Sequence, residues 1–598
     1  MLKRILVADV GSTFTSVSLL EATGDDIHII DSSASPTTVN GNGLDVMVGV
    51  KNAVEKLEER TGITFVSANG LLSPSNGNSG VDCFVSTCSA GGGIKVLAAG
   101  LSDQITVESA QRAALGAGAI VTDVLSLNQA AIVLQNIRRV ESTPYDMILV
   151  TGGTDGGNVQ DVLDLVEFLC LATQSSASTN QRKIPLVYAG NKDAQPYLED
   201  IVHSSIQLIC VDNVRPSVEK ESLDHVHEVI QELFLQHAMS SVPGFADLAS
   251  WAQDRIKPTP VSIGEILAQM ASKSGDNILA VDIGGATTDV FSFLNGQFFR
   301  SASANAGMSK RIGSPTNTVR PDLVARWLPK PIDEAELLVR NWLLNKTLRP
   351  STLPQTADEL MLEQSFAREA IRLSLNDHKQ VAKGLRGIKI QRQIGDVFTQ
   401  SGTADTLLNL MDVGRVIGLG GVLAKAPRPA QAMSVILDGL EPEGVTNLYV
   451  DTGSFLPYAG LLYAGMMDLD AFWNMEPLKL LATCIAPLGP RVKKGTVIAT
   501  VALNDTKYEI VSGRLALISL GLRAGNTIEI SPRRDFDVGA GRGNVVRTLV
   551  PESELGLVLD GRSRPLALPD RDNERVATLR AWYESIDAYP DQVLHSTI

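Results

Sequence analysis

Residues 1–20 read MLKRILVADVGSTFTSVSLL, and residues 278–294 read ILAVDIGGATTDVFSFL. Both phrases run apolar, then Asp, one apolar residue, Gly, and a string of small or hydroxylated residues. Each apolar run is short, rich in β-branched residues and closed by Gly, the pattern of a buried strand entering a tight turn. TSVSLLEA reads as the hairpin partner of the first strand, and IHIIDSSASPTT as a third strand. Such a turn has a chemical use. Gly lets an anion approach with no Cβ in the way. Successive N–H groups and hydroxyls donate to phosphate oxygens. The Asp carboxylate can hold the water shell of Mg²⁺, an ion that keeps several of its waters. One such turn alone reads as a hairpin with a satisfied Asp. Two copies, each heading an α/β block, predict a clamp on the β- and γ-phosphates of one nucleotide, with Asp9 and Asp282 sharing the metal. A third element, GLGG at 418–421 within GRVIGLGGVLA, runs from strand through a Gly turn into a helix. It reads either as backbone approach for a nucleoside or as a close helix–strand packing turn.

Working outward, 598 residues are too many for one ordinary core, and the length predicts about three or four domains. A net charge of −15 argues against broad binding to nucleic acid or to anionic membrane. The basic clusters RVKK (491–494) and SPRRDF (531–536) read as solvated turns. Five cysteines without a CxxC pair give no disulfide framework. Cys83 and Cys88 are an odd number of positions apart, so on a strand they face opposite sides. No signal-peptide pattern and no run of membrane-span length is present, and the expectation is a reducing, cytoplasmic setting with no membrane partner.

Along the chain, 44–60 carries helical spacing of Val46, Val50, Val54 and Leu57. TVESAQRAALGAGAIV predicts a helix with Thr106 as its N-cap. Strands and helices then alternate through YDMILVTGGTDGG, KIPLVYAGN and SIQLICVDNV to a helix near 221–239, which predicts α/β layers on a largely parallel sheet. Residues 321–385 read as an inserted helical subdomain anchored by Trp327, Leu337, Leu338, Trp342 and Leu343. After about 476 short β runs punctuated by Gly and Pro predict a small β domain, and 572–588 a helix around Trp582.

DVGSTFT, DIGGATTD and VIGLGGVL, in this order, resemble the two phosphate motifs and the adenosine motif of the actin-like ATPase superfamily, with Ala286 where a third Gly is common. The resemblance implies an α/β fold of duplicated actin-like (ribonuclease H-like) ATPase halves. The expected division is 1–272 for the first half, 273–475 for the second half with its helical insertion at about 321–385, and 476–598 for a β-rich C-terminal domain. It also implies ATP or ADP with Mg²⁺ as ligands. Asp9 and Asp282 would hold Mg²⁺ through water. Gly11, Ser12, Thr13 and Thr15 would serve one side of the phosphates, and Gly284, Gly285, Ala286 and Thr287 the other. Gly418, Gly420 and Gly421 would pack against adenosine. Asp155, in TGGTDGGN, stands open between two roles: positioning the attacking water, or capping the helix that starts after 158.

KVLAAGLSDQITVESAQRAALGAGA, LVTGGTDGGN, VYAGNKDA, VDNVRPS, DIGGATTDV and VIGLGGVLA in series resemble the MutL/GlmL family, over about residues 1–470. These proteins are associated with adenosylcobalamin-dependent mutases such as glutamate mutase and are unrelated to the mismatch-repair protein of the same name. The resemblance implies an ATPase chaperone that reactivates such a mutase, its client, by nucleotide-driven domain closure. No DxHxxG segment is present, which argues against direct corrinoid binding. Competing readings are a small-molecule kinase or hydantoinase-type subunit, a nucleotide-dependent filament protein, and an iron–sulfur activator of a radical dehydratase. A homo-oligomer is left open.

Overall fold

Strand Leu2–Val10 is the centre of a five-stranded sheet. It pairs antiparallel with Phe14–Thr23, which pairs antiparallel with Asp26–Pro36, and on its other side parallel with Cys83–Cys88. Ile256–Pro258 closes that side, parallel to Cys83–Cys88. A second sheet repeats the scheme. Asn277–Ile283 pairs antiparallel with Thr288–Leu294, which pairs with Gln297–Ser303, and parallel with Val413–Leu419, beyond which lies Gly444–Val450. This is a computed structural model, and it describes every residue except 1, 24–25, 39–44, 90–92, 128–132, 144, 178–182, 254, 305, 310–311, 314–317, 385–405, 464–476, 520–525 and 596–598.

The two sheets are joined by one core. Helix Thr259–Ser274 and helix Leu456–Tyr463 pack between them, with Ile5, Val7 and Val85 from one sheet and Ile278, Ala280 and Ile417 from the other. Burying each such Val or Ile side chain contributes about 1.5–3 kcal/mol. Helix Val46–Thr61 covers the outer face of the first sheet with Val46, Val50, Val54 and Leu57, the predicted spacing, and Asp45 caps it by accepting from Met47 N.

Between Cys83–Cys88 and Ile256–Pro258 the chain builds a separate, wholly parallel sheet. Its order is Ile206–Cys210, Ile184–Tyr188, Met147–Val150, Lys95–Gly100, Ile120–Ser126. Helix Glu108–Gly116 on this sheet begins one residue later than an N-cap at Thr106 implies, with Val107 in the cap position. A π-turn, Asp103–Val107, precedes it, and Thr106 Oγ1 accepts from Ser102 N within that turn. Cys83 is half-buried and Cys88 buried.

After the second sheet's three-stranded meander come helices Pro321–Ala325, Ile332–Leu348 and Ala357–Val381. Trp327 and Leu343 are buried and Leu338 and Trp342 partly so, as expected of anchors. Leu337 is not an anchor: it is 60% exposed, because it sits on the solvent side of its helix.

The expected boundary at 475/476 lies outside the described residues. Lys479–Ala486 pairs antiparallel with Gly444–Val450, and Gly556–Asp560 and Leu515–Ile518 follow it, so the second sheet has eight strands. The other tail strands form a four-stranded antiparallel sheet. Helix Asp572–Ser585 places Leu579, Trp582 and Tyr583 in the same core cluster as Trp327. A buried charge network fastens this packing. Asp438 accepts from Arg368 at 2.8 Å and from Arg562 at 2.6 Å, and Asp560 pairs with Arg562 and Arg564.

Candidate functional site

The two Asp-headed turns have the same local geometry. Gly11 N donates to Phe14 O at 3.0 Å, and Gly284 N donates to Thr287 O at 2.9 Å. In both, an Asp stands two residues before the Gly, near the end of a strand with a parallel neighbour. The antiparallel neighbour starts at Phe14, the last residue of the first turn, and at Thr288, just after the second. The turns face each other. A Cβ built on Gly285 would collide with Thr13 Oγ1 and lie 2.9 Å from Ser12 Oγ and 2.8 Å from Ser309 Oγ. Thr13 Oγ1 and Ser309 Oγ are 2.5 Å apart. The GLGG turn reaches the same place: Gly420 takes φ +96, and a Cβ there would strike the carbonyl of Ile283.

These three turns line one cavity of about 980 Å³. Asp9, Gly11, Ser12 and Thr13 form one wall, and Asp282, Gly284, Gly285, Ala286 and Thr287 another. Gly420 and Gly421 complete the set. Three expected residues are elsewhere. Thr15 is fully buried behind its turn, its hydroxyl 2.9 Å from that of Thr37. Gly418 lies under the turn, where a Cβ would meet Leu423 and Ile436 at 2.7 and 2.9 Å, so its smallness serves packing. Asp155 is on the parallel-sheet unit and does not line the cavity. It does not cap the helix there either; Asn158 does, accepting from Gln160 N at 2.8 Å. Asp155 instead ties three loops together, accepting from Asn213 Nδ2 at 2.9 Å and Lys192 N at 3.3 Å.

Buried carboxylates converge on the cavity: Asp9, Asp282, Asp289 and Asp451 line it, with the Arg300 guanidinium paired to Asp289 and Lys425 also on its wall. Asp9 accepts from Thr87 Oγ1 at 2.8 Å and Thr259 Oγ1 at 2.9 Å. Burial holds its carboxyl above the ordinary range, with those two hydroxyls opposing. Asp282 is pushed up to about 8, first by burial and then by the neighbouring carboxylates of Asp289, Asp9 and Asp451. Asp451 is raised to about 6 by burial, against the backbone donors Phe455 N and Leu456 N, each 2.8 Å away. Among the described residues no group of three or more His, Cys, Asp or Glu is spaced to ligate an ion directly. The carboxylates of Asp289, Asp9 and Asp451 are near enough to raise Asp282.

Asp289, Asp451, Thr87 and Thr259 were not singled out from the sequence. Asp451 had a signal: NLYVDTGS repeats the rhythm of strand, Asp, small residue, Gly. Asp289 also had one, since in a tight hairpin it falls opposite Asp282. Thr87 and Thr259 reach Asp9 only through tertiary pairing.

The fold and the cleft define a mixed α/β protein in which two like sheets present Asp-headed turns to one shared cavity. Residues 5–471 match the MutL protein family, and the chain belongs to it. The protein MutL of Clostridium tetanomorphum is 26% identical over 490 residues, covering 77% of this chain and 96% of that protein. Distant likenesses among solved structures include nucleotide-free acetone carboxylase (TM-score 0.33, 12% identity, 77% of this chain and 70% of that one). A glycerol dehydratase reactivase follows (TM-score 0.28, 10% identity, 77% and 99%). Component A of the 2-hydroxyglutaryl-CoA dehydratase of Acidaminococcus fermentans is a third (TM-score 0.22, 11% identity, 77% and 95%). Among the described residues no helix is long and apolar enough to cross a membrane.

Proposed function

We propose that this protein is an ATP-dependent reactivating factor for an adenosylcobalamin-dependent mutase, glutamate mutase or a related aminomutase. The observation that carries the reading is the facing pair of Asp-headed turns, whose closest approach at Gly285 and Thr13 leaves room for no side chain between them. Family membership supports the choice of client class. In this reading residues 1–272 and 273–475 are the two actin-like halves, the helices after 321 are an insertion in the second, and 476–598 completes that half's sheet.

ATP would lie in the 980 Å³ cavity, its phosphates between the turns and its nucleoside against Gly420 and Gly421. The N–H groups of the two turns and the hydroxyls of Ser12, Thr13 and Thr287 are the donors for phosphate oxygens. Mg²⁺ fits the donor set: Asp9 and Asp282 would hold its waters, and the upward-shifted pKa of Asp282, caused first by burial and then by neighbouring carboxylates, is one that a bound cation would pull back down. When bound, the ion would neutralise charge on the β- and γ-phosphates. The protein's own part is to orient the phosphates and exclude water by closing one turn on the other. Nucleotide bound between two lobes biases a hinge, and a hinge that moves with ATP, then relaxes with ADP, can loosen a client so that damaged cobalamin leaves.

The test is rescue. A candidate mutase from the same organism is inactivated by turnover, then given this protein, MgATP and fresh adenosylcobalamin. Recovery that requires ATP and an intact Asp9 supports the reading. ATP hydrolysis without recovery of any mutase favours phosphoryl transfer to a small molecule or filament assembly on the same cleft.

A further inference from the structure

We propose that Arg300 is a positioning residue that couples the second phosphate turn to the parallel-sheet unit, an inference that rests on the nucleotide reading of the cleft. Arg300 lies on strand Gln297–Ser303, and its side chain is only 3% exposed. Its guanidinium has two partners in different parts of the molecule. Nη2 donates to Asp289 Oδ1 at 2.5 Å. Nη1 donates to the carbonyls of Leu115 at 2.6 Å and Ala119 at 3.2 Å. Leu115 is in the last turn of helix Glu108–Gly116, where the helix dipole favours a cation, and its carbonyl also accepts from Gly118 N at 3.0 Å. Nε has no hydrogen-bond partner among the described residues, which leaves a donor free to follow a rearrangement.

The other end of Asp289 reaches the turn itself. Thr287 Oγ1 donates to Asp289 Oδ2 at 2.8 Å. A threonine hydroxyl has one proton to give. With the cleft empty of phosphate that proton goes to Asp289. With a phosphate between the turns it has a stronger acceptor, and Asp289 is left to Arg300 alone. The guanidinium is a rigid planar fork, so a shift of Asp289 tilts the bonds to Leu115 and Ala119 with it. Beyond the helix end the polar path continues. Ser109 and Arg112 bind Glu221 at 2.7 Å each, and Arg215 Nη1 lies 3.4 Å from Ser109 Oγ. The state of the phosphate turn thereby acts on the segment 211–217, more than one element away.

The experiment is amide hydrogen exchange on the full-length protein, with and without MgADP and MgATP, at concentrations that calorimetric titration shows to saturate each variant. In the wild type, nucleotide is expected to change exchange across 108–120 by at least about threefold. Arg300→Lys keeps the charge and loses the fork, and is expected to shrink that change. Arg300→Met alone strands Asp289, so it is paired with Asp289→Asn in a charge-neutral double variant, in which the change is expected to vanish. Wild-type protein that binds nucleotide with no response in 108–120 overturns the inference. So does a double variant that keeps the wild-type response. Absence of any calorimetric binding overturns the nucleotide reading itself, and the inference with it.

Discussion

Thr13 Oγ1 of the first turn stands where a Cβ of Gly285 in the second turn would have to be. The two residues come from different sheets and are far apart in sequence, yet each fixes what the other can be. Gly285→Ala is expected to push the turns apart, lower stability by roughly 1–3 kcal/mol as overpacking does, and weaken MgATP binding. Thr13→Ala, added to it, removes the obstructing oxygen. The double variant should melt at a higher temperature than Gly285→Ala alone, as measured by differential scanning calorimetry. Purely additive losses would mean the turns do not touch.

The carboxylates at the strand ends should matter for turnover more than for folding. Asp9→Asn and Asp282→Asn are each expected to reduce ATP hydrolysis about 10–100-fold, the usual cost of disturbing groups that hold a metal through an outer layer. Circular dichroism spectra should stay unchanged, and the Mg²⁺ concentration for half-maximal phosphate release should rise. Wild-type turnover in both variants would remove these residues from the site.

His378 gives the fold a pH dependence. It is fully buried on helix Ala357–Val381, with Ser292 Oγ 2.8 Å from Nε2 and Ser301 Oγ 3.0 Å from Nδ1. Burial lowers its pKa from 6.5 to about 3. The unfolded chain therefore takes up this proton first. Stability from this residue is fully present above about 6.5, and is lost as pH falls from there toward about 3. Urea midpoints measured from pH 7.5 to 4.5 should fall less steeply in His378→Gln than in the wild type. Parallel curves would count against a neutral buried imidazole.

The tail is held by charge as well as by strands. Asp438→Ala leaves Arg368 and Arg562 buried without their shared partner. A loss of roughly 3–5 kcal/mol is expected, as for other broken buried pairs. Limited proteolysis should then release fragments from beyond residue 550 first. A variant as protease-resistant as the wild type would show that the network is dispensable.

Much of this architecture can be read from local pattern. The two strand–Asp–Gly phrases, the helix with Val46, Val50, Val54 and Leu57 on one face, and the alternating parallel unit all follow from periodicity and turn residues. What could not be read depends on partners distant in sequence. Thr15 and Gly418 carry the right residue types but sit one layer behind the cavity, because the pleat turns alternate positions inward. Asp155 follows a strand in a Gly-rich loop, as a catalytic Asp would, yet its strand belongs to another sheet. The tail's strands have local β pattern, which says nothing of which strand they pair with. Leu337 looked like an anchor because apolarity alone does not say which side of a helix faces in.

Gly444–Val450 lies inside its sheet only because Lys479–Ala486 covers it, and that strand is covered in turn by Gly556–Asp560, far along the chain from the strands that begin the sheet. During synthesis the ribosome must therefore reach residue 560 before the largest sheet can close. Until then the nascent protein carries an open, apolar strand edge of the kind that recruits other chains. A protein that would tend another enzyme is thus itself a demanding substrate for the cell's folding machinery, and truncated forms ending near 475 should be recovered as aggregates.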